Sequence, residues 1–469
     1  MALTFTHVTG DVLKNVIGDL STPSNMTDQN LVINYLKEGS SKGDPIYLGI
    51  GETWTEVAPG LVELAKKPWP TYLNGYLFSQ YGLPKLQNVL RESIPQEHRF
   101  SKDCELGRDF EVAVSCQGTR NVMFDFGRML MMEAPRGKTP VALVTSPGWD
   151  YPGVFGPLGF KMQWLPLRRE NDFHPSMEDL EVLLKQIDAY SNEYLGLVVI
   201  NAQQNPTGVN WRPEFVRKLI QIAIDRGAAV LADDAYYSIL HPGTEATSTL
   251  GILTEELQKH HQDSGRSRQG IARGHERSDF PVIPWMGVRS LGKQFNCNGW
   301  GIGAMVSHPV ILERMIHQLL LSRTYIYSGM LQYTMADWLT SSESKIYLEE
   351  KNQEFKEKRE QVGHDLETLL GYPKNGYFAG TCTSYLLFQA PASRARKMGN
   401  FADVEKYRTE LFFKTGVLFS QCNLNCSITG DPVFFEMNKP HFRIFLAPRK
   451  EALREAIERL HDAGVRWEG

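Results

Sequence analysis

The chain predicts an α/β protein with a mostly parallel, doubly wound sheet in a large domain and a smaller α+β domain. Three observations carry that expectation. Short apolar runs alternate with longer amphipathic stretches from about residue 111 to 235, the sequence texture changes after about residue 330, and 469 residues exceed what one core normally supports. The division expected is a large domain over 60–330, with 1–59 and 331–469 forming the N-terminal segment and the small domain.

The elements follow in order. The first 50 or so residues have a helix-like start and the run PIYLGIGE (45–52), assigned to the small domain. EVAVSC (111–116), VALVTS (141–146), LGLVVINA (195–202) and AAVLADD (228–234) are strand-like, and each ends in small or polar residues. NVMFDFGRMLMMEA (121–134), MEDLEVLLKQIDAY (177–190) and PEFVRKLIQIAIDRG (213–227) carry apolar residues at i, i+3, i+4 spacing, as crossover helices do. PVIPWMGVRSLGK (281–293) and GAMVSHP (303–309) continue the strand series. A long charged helix pattern over 341–372 then precedes the strand-like TSYLLFQA (383–390), GVLFS (416–420) and HFRIFLA (441–447), and EALREAIERLHDAG (451–464) closes the chain. ELQKHHQDSGRSRQGIARGHERSDF (256–280) lacks periodicity and reads as a solvated insertion, with a functional basic patch as the alternative.

Composition narrows the function. A net charge of -4 gives no field to attract nucleic acid or an anionic membrane surface. No uninterrupted apolar run approaches the roughly 20 residues of a membrane span. Six dilute cysteines and the absence of a basic-then-apolar start point to reduced thiols in a cytoplasmic protein. The CNLNC pair has no second Cys/His pair at finger-like spacing, so no metal site is expected.

Five separated stretches carry chemistry, each just after an expected strand: CQGTRN (116–121), SPGWDYP (146–152), NAQQNPTG (201–208), DDAYYS (233–238) and SLGKQFNCNGWGIG (290–303). A carboxylate such as Asp233 at the end of a buried strand is costly without a cationic partner. Gly118 and Thr119 stand where a strand enters a helix, and helix N-terminal amides bind phosphate or simply cap the helix. Lys293, in Ser-x-x-Lys, would be a surface lysine if that pattern stood alone.

Together the five stretches resemble the class I/II aminotransferase family of fold-type I pyridoxal-phosphate enzymes, over nearly the whole chain and in the right order. The resemblance implies that Lys293 forms the Schiff base with pyridoxal 5'-phosphate, for which its amine must be neutral. It implies that Asp233 faces the ring nitrogen, keeping the cofactor an electron sink, and that Tyr236 and Asn205 bond the ring's phenolic oxygen. Gln117, Gly118, Thr119 and Ser290 match the phosphate cup. Trp149 matches the aromatic stacked on the ring, and Tyr76 lies one residue out of register with a tyrosine that often reaches the neighbouring subunit's phosphate. Arg443 matches the arginine that grips the substrate α-carboxylate with its fork, and Gly51 the segment that closes over substrate. Catalysis thus falls to Lys293, Asp233 and Tyr236, in an expected homodimer.

One departure stands out: where the family has Gly-Trp-Arg-x-Gly, this chain reads Gly299-Trp-Gly301-Ile-Gly303. The phosphate-clamping arginine is missing, and Arg289 or a basic residue of the insertion is the expected substitute, unless the space admits a large or anionic substrate. The leading reading is an amino-acid aminotransferase. The alternative is a lyase, replacement or cyclising enzyme that eliminates or substitutes a β- or γ-group, for example on S-adenosylmethionine. A non-enzymatic amino-acid sensor of this fold would carry a DNA-binding domain ahead of it, for which this chain has no room.

Overall fold

The computed structural model describes residues 27–39, 42–49, 56–115, 117–263, 282–324, 328–421 and 440–468. Twelve strands are found among them: β1 (Ile46–Leu48), β2 (Glu111–Ser115), β3 (Thr139–Ser146), β4 (Lys161–Pro166), β5 (Glu193–Ile200), β6 (Ala229–Asp233), β7 (Trp285–Ser290), β8 (Gly303–Ser307), β9 (Tyr377–Phe378), β10 (Tyr385–Gln389), β11 (Val417–Gln421) and β12 (His441–Phe445). Seven form one sheet in the order β2-β8-β7-β6-β5-β3-β4. Its ladders are parallel except those of β8, which runs antiparallel to both β2 and β7.

Why these runs read as nearly continuous apolar strands is visible in their burial. Successive side chains point to opposite faces, and both faces are covered. Val141, Leu143, Val198, Ile200, Val230 and Ala232 enter one core, while Ala142, Val144, Leu197, Val199, Ala229 and Leu231 enter the other. Each such valine, leucine or isoleucine side chain stabilises the fold by about 1.5–3 kcal/mol. The covering helices Thr119–Glu133, Met177–Asp188 and Pro213–Arg226 fall where the periodicity put them. Local chemistry sets their ends: the Ser176 hydroxyl accepts the Asp179 N–H at 3.1 Å, and Gly227 stops the third helix at φ 64°.

The second sheet has the order β1-β11-β12-β10-β9, with β1 parallel to β11 and the other pairs antiparallel. The PIYL run therefore joins the C-terminal strands, as expected. The 29-residue helix Ser342–Leu370 starts at Ser341, whose hydroxyl accepts the Ser344 N–H at 3.2 Å, and ends at Gly371. It packs beside the closing helix Lys450–Asp462.

Two expectations change. The presumed insertion begins as structure, because the helix Thr249–Asp263 takes in its first eight residues. Leu250, Leu253 and Leu257 line its buried face, and Glu255 and Glu256 pair with Arg217 and Lys259. The rest of the insertion lies outside the described residues. The edge strand β4 escaped notice because its burial is uneven and it ends in Pro166.

Candidate active site

The sheet brings the signature loops together at one edge. β3 ends at Ser146, β5 at Ile200, β6 at Asp233 and β7 at Ser290, and the shared direction of these parallel strands places their following loops along the carboxyl ends, where α/β sheets bind ligands. Asp233 is 4% exposed. Its carboxylate accepts the Tyr151 hydroxyl at 2.7 Å and the Ala235 N–H at 3.2 Å. Burial pushes the carboxyl up to about 6, against the Tyr151 and Ala235 bonds and the charge of Lys293. Asn201 links two of the loops: its amide donates to the Asp233 carbonyl at 2.7 Å, and its oxygen accepts the Asn205 N–H at 2.8 Å.

Lys293 sits on the helical turn Gly292–Phe295 that follows β7 directly. It is half-buried, and its charge acts on both Asp233 and Tyr385. Gly292 permits this turn, since a Cβ there would stand 2.8 Å from the Asn298 Cα. Ser290, at the strand end, is likewise half-buried.

On the other side of this space, Arg443 enters from β12. It is 1% exposed, donating to Asn205 Oδ1 at 3.0 Å and to the Gly49 carbonyl at 3.1 Å. Its Nε is buried without a hydrogen-bond partner among the described residues. The guanidinium carbon lies 4.1 Å from the centre of the Tyr385 ring. The Tyr385 hydroxyl in turn stands 2.6 Å from that of Tyr236. Both tyrosines are buried. Gly51 lies outside the described residues.

At the start of the helix Thr119–Glu133, Gln117 (φ 60°) and Gly118 (φ 81°) turn the chain so that the helix opens at Thr119. The Gly118 N–H donates to the Gly301 carbonyl at 2.7 Å. The residue that lacks the expected arginine therefore supports the turn through its backbone. Arg289 does not replace that arginine: it pairs with Glu97 and donates to the Ser238 hydroxyl at 2.9 Å. Alternation along β7 explains this, because Arg289 and Ser290 point to opposite faces. Beside this turn stands Arg120, paired with Asp150 at 3.0 Å and 4.4 Å from the centre of the Trp149 ring. Trp149 also meets Tyr151 edge-on, with ring centroids 5.2 Å apart. Tyr76 stands apart, 82% exposed.

Sequence reasoning missed Tyr151, Tyr385 and Arg120. The first lay inside a quoted motif, and the third directly beside Thr119; for Tyr385 no local signal exists, because its partner is 149 residues away.

Comparison with known proteins agrees with this geometry. The sequence model of the family described as "Aminotransferase class I and II" matches residues 77–460. An LL-diaminopimelate aminotransferase from Halothermothrix orenii is 27% identical over 333 residues, 70% of each chain. An aspartate aminotransferase from Pyrococcus horikoshii is 23% identical over 446 residues, covering 92% of this chain and 94% of that one. In fold, a substrate-bound BacF structure from Bacillus subtilis superposes with a TM-score of 0.71 at 18% identity, over 96% of this chain and 98% of that one. These relatives favour transamination over the elimination or replacement alternative. The chain belongs to the class I and II aminotransferase family and is a pyridoxal-phosphate-dependent aminotransferase.

Proposed function

We propose that the enzyme moves the amino group of an α-amino acid held through its carboxylate by Arg443, with Lys293 Nζ carrying the proton. The observation that carries this reading is the placement of two cations about the same tyrosine: Arg443, bonded to Asn205, stacks on Tyr385, and the half-buried Lys293 acts on both Tyr385 and Asp233.

The residues fit the cofactor. Asp233 is a buried carboxylate whose ionised form a protonated ring nitrogen would stabilise, and Tyr151 and Asn201 fix its position. Gln117, Gly118 and Thr119 offer a positive-φ turn opening a helix, suited to a phosphate, with Ser290 as a hydroxyl donor. Trp149 offers a flat ring, and Tyr236 and Asn205 offer partners for the phenolic oxygen. Bound there, pyridoxal phosphate supplies an aldehyde carbon that accepts an amine and a ring that withdraws electrons from the substrate α-carbon. Arg443 orients the substrate by its fork, so that the α-hydrogen faces Lys293 Nζ. Lys293 then takes that proton and delivers it as a general acid.

The same reading includes a homodimer and the two-domain division near residues 60 and 330, which the two separate sheets support. Trp69, Tyr72, Tyr76 and Phe78 are exposed within ten residues of one another, and a second copy covering them would bring Tyr76 towards its phosphate turn. It also includes residence in the cytoplasm, supported by Cys104, Cys297 and Cys382, which are free thiols. Among the described residues no helix is long and apolar enough to cross a membrane.

The test incubates the purified enzyme with a panel of amino acids plus 2-oxoglutarate or pyruvate, and separately with S-adenosylmethionine alone. A new amino acid formed from the keto acid, and lost in Lys293→Ala, is the expected result. A leaving group released without a keto acceptor would overturn it.

A further inference from the structure

Glycine at 301 leaves the phosphate turn without a side-chain cation at that position. A cofactor held less by its phosphate depends more on the stacking of its ring.

The loop that supplies the stacking ring is rooted directly after Trp149. Asp150 caps the short helix Tyr151–Phe155, its Oδ1 accepting the Gly153 N–H at 3.1 Å. The Tyr151 hydroxyl donates to Asp233 at 2.7 Å. The indole between these anchors and solvent is only half-buried. Tyr151 meets it edge-on, which leaves its two faces. Arg120 lies over one of them, the guanidinium carbon 4.4 Å from the ring centre. Asp150 steers it there, because Arg120 Nη1 donates at 3.0 Å to Oδ2, the oxygen that the cap does not use. Arg120 itself belongs to the first turn of the helix that opens at Thr119. One side chain therefore ties the phosphate turn to the stacking loop.

Where the guanidinium is spent decides its role. It is engaged with an indole face and with a carboxylate 30 residues away, in a geometry suited to arginine, whose plane stacks on a ring while its edge donates. Resting on the function argued above, we infer that Arg120 is a positioning residue for the cofactor ring: anchored by Asp150 and laid on one face of Trp149, it holds the indole so that the other face is set for the cofactor before the cofactor arrives. Fixing the ring in advance removes an ordering cost that binding would otherwise meet. Retention thereby shifts from phosphate charge towards ring stacking.

The experiment removes the cofactor from the purified enzyme and adds back either pyridoxal phosphate or pyridoxal, which has the same ring and aldehyde without the phosphate. Growth of the visible absorption band gives a dissociation constant for each. In Arg120→Gln both constants should rise by the same factor, about two- to fivefold, as expected for a partly exposed cation-π contact. In a Trp149→Leu background the same substitution should change neither, because the ring through which it acts is gone. A rise confined to pyridoxal phosphate would assign Arg120 to the phosphate instead and overturn the inference. Unchanged constants, or the same rise without Trp149, would also overturn it, while the assignment of Lys293 stands. Asp150→Asn keeps the cap acceptor and removes the ion pair; it should raise both constants and add nothing to Arg120→Gln, and it decides alone if Arg120→Gln fails to fold. No rise in Asp150→Asn, or fully additive rises, would count against the inference in the same way. A visible band that survives in Lys293→Ala would instead overturn the function reading, and this inference with it.

Discussion

Asp234 is the acid of the DDAY motif that faces away from the site. Its carboxylate is 1% exposed and both oxygens lack a hydrogen-bond partner among the described residues. His98 Nε2 is 3.8 Å away, and that imidazole is kept neutral by burial and by Arg289. Burial first, and then the charge of Asp233, push Asp234 up to about 7, with Arg289 opposing. A carboxyl raised on folding holds a proton that the unfolded chain has released, so its contribution to stability is full below the unfolded value of 3.8 and is lost as pH rises through about 7. Asp234→Asn removes this titration. Urea unfolding of the cofactor-free protein should show the variant gaining on the parent by up to about 1.4 kcal/mol per pH unit across that window. A stability difference that stays constant with pH would refute it. Gly301 is a second residue with a defined expectation. It holds φ +63°, yet a Cβ would make only ordinary contacts, 3.5–3.6 Å, with Gln117 and Gly118. Gly301→Arg should therefore cost only the backbone strain, about 1–2 kcal/mol in the same assay; a loss several times larger would mean that the turn is sterically closed.

Elements were more legible than the contacts between them. The strands carrying the five motifs were readable because both faces are buried, so that apolar runs end abruptly at polar loops. Lys293, Asp233, Asn205 and Arg443 could be singled out because the resemblance assigns a specific chemistry to those residue types in that order. Tyr151 and Tyr385 were not, because an aromatic in a buried run looks like core until its hydroxyl partner is known. Arg289 misled for a related reason: one residue along a strand is the other face. The strap 379–383 was equally invisible. Its Thr381 and Cys382 N–H groups donate at 2.8 and 3.0 Å to the carbonyl of Gly208, the last residue of the NPTG turn. The buried guanidinium of Arg359, on the long helix, donates to the carbonyls of Ala379, Cys382 and Thr383. Two residues on is Tyr385. Arg359→Met would leave three carbonyls short of a partner, so thermal unfolding should begin about 4–10 °C lower. An unchanged midpoint would show that the strap holds without its clamp.

At the scale of the whole molecule, one surface segment contrasts with the two well-filled cores. Trp69 is 37%, Tyr72 66%, Tyr76 82% and Phe78 106% exposed, all within ten residues. Clustered aromatics of this kind mark an interaction surface more often than they mark a monomer's skin. A two-fold dimer would bury the same patch from both copies, so each ring acts twice. Burying a phenylalanine side chain contributes about 1.5–3 kcal/mol, and a glutamate in its place would have to shed its hydration without a partner. Sedimentation of the parent protein should give a particle of twice the 53.2 kDa chain mass, whereas Phe78→Glu should sediment as a monomer at micromolar concentration. Because the Phe78 side chain is fully exposed, the variant should keep the parent's far-ultraviolet circular dichroism. A Phe78→Glu protein that stays dimeric would place the interface elsewhere, and with it the partner's access to Tyr76.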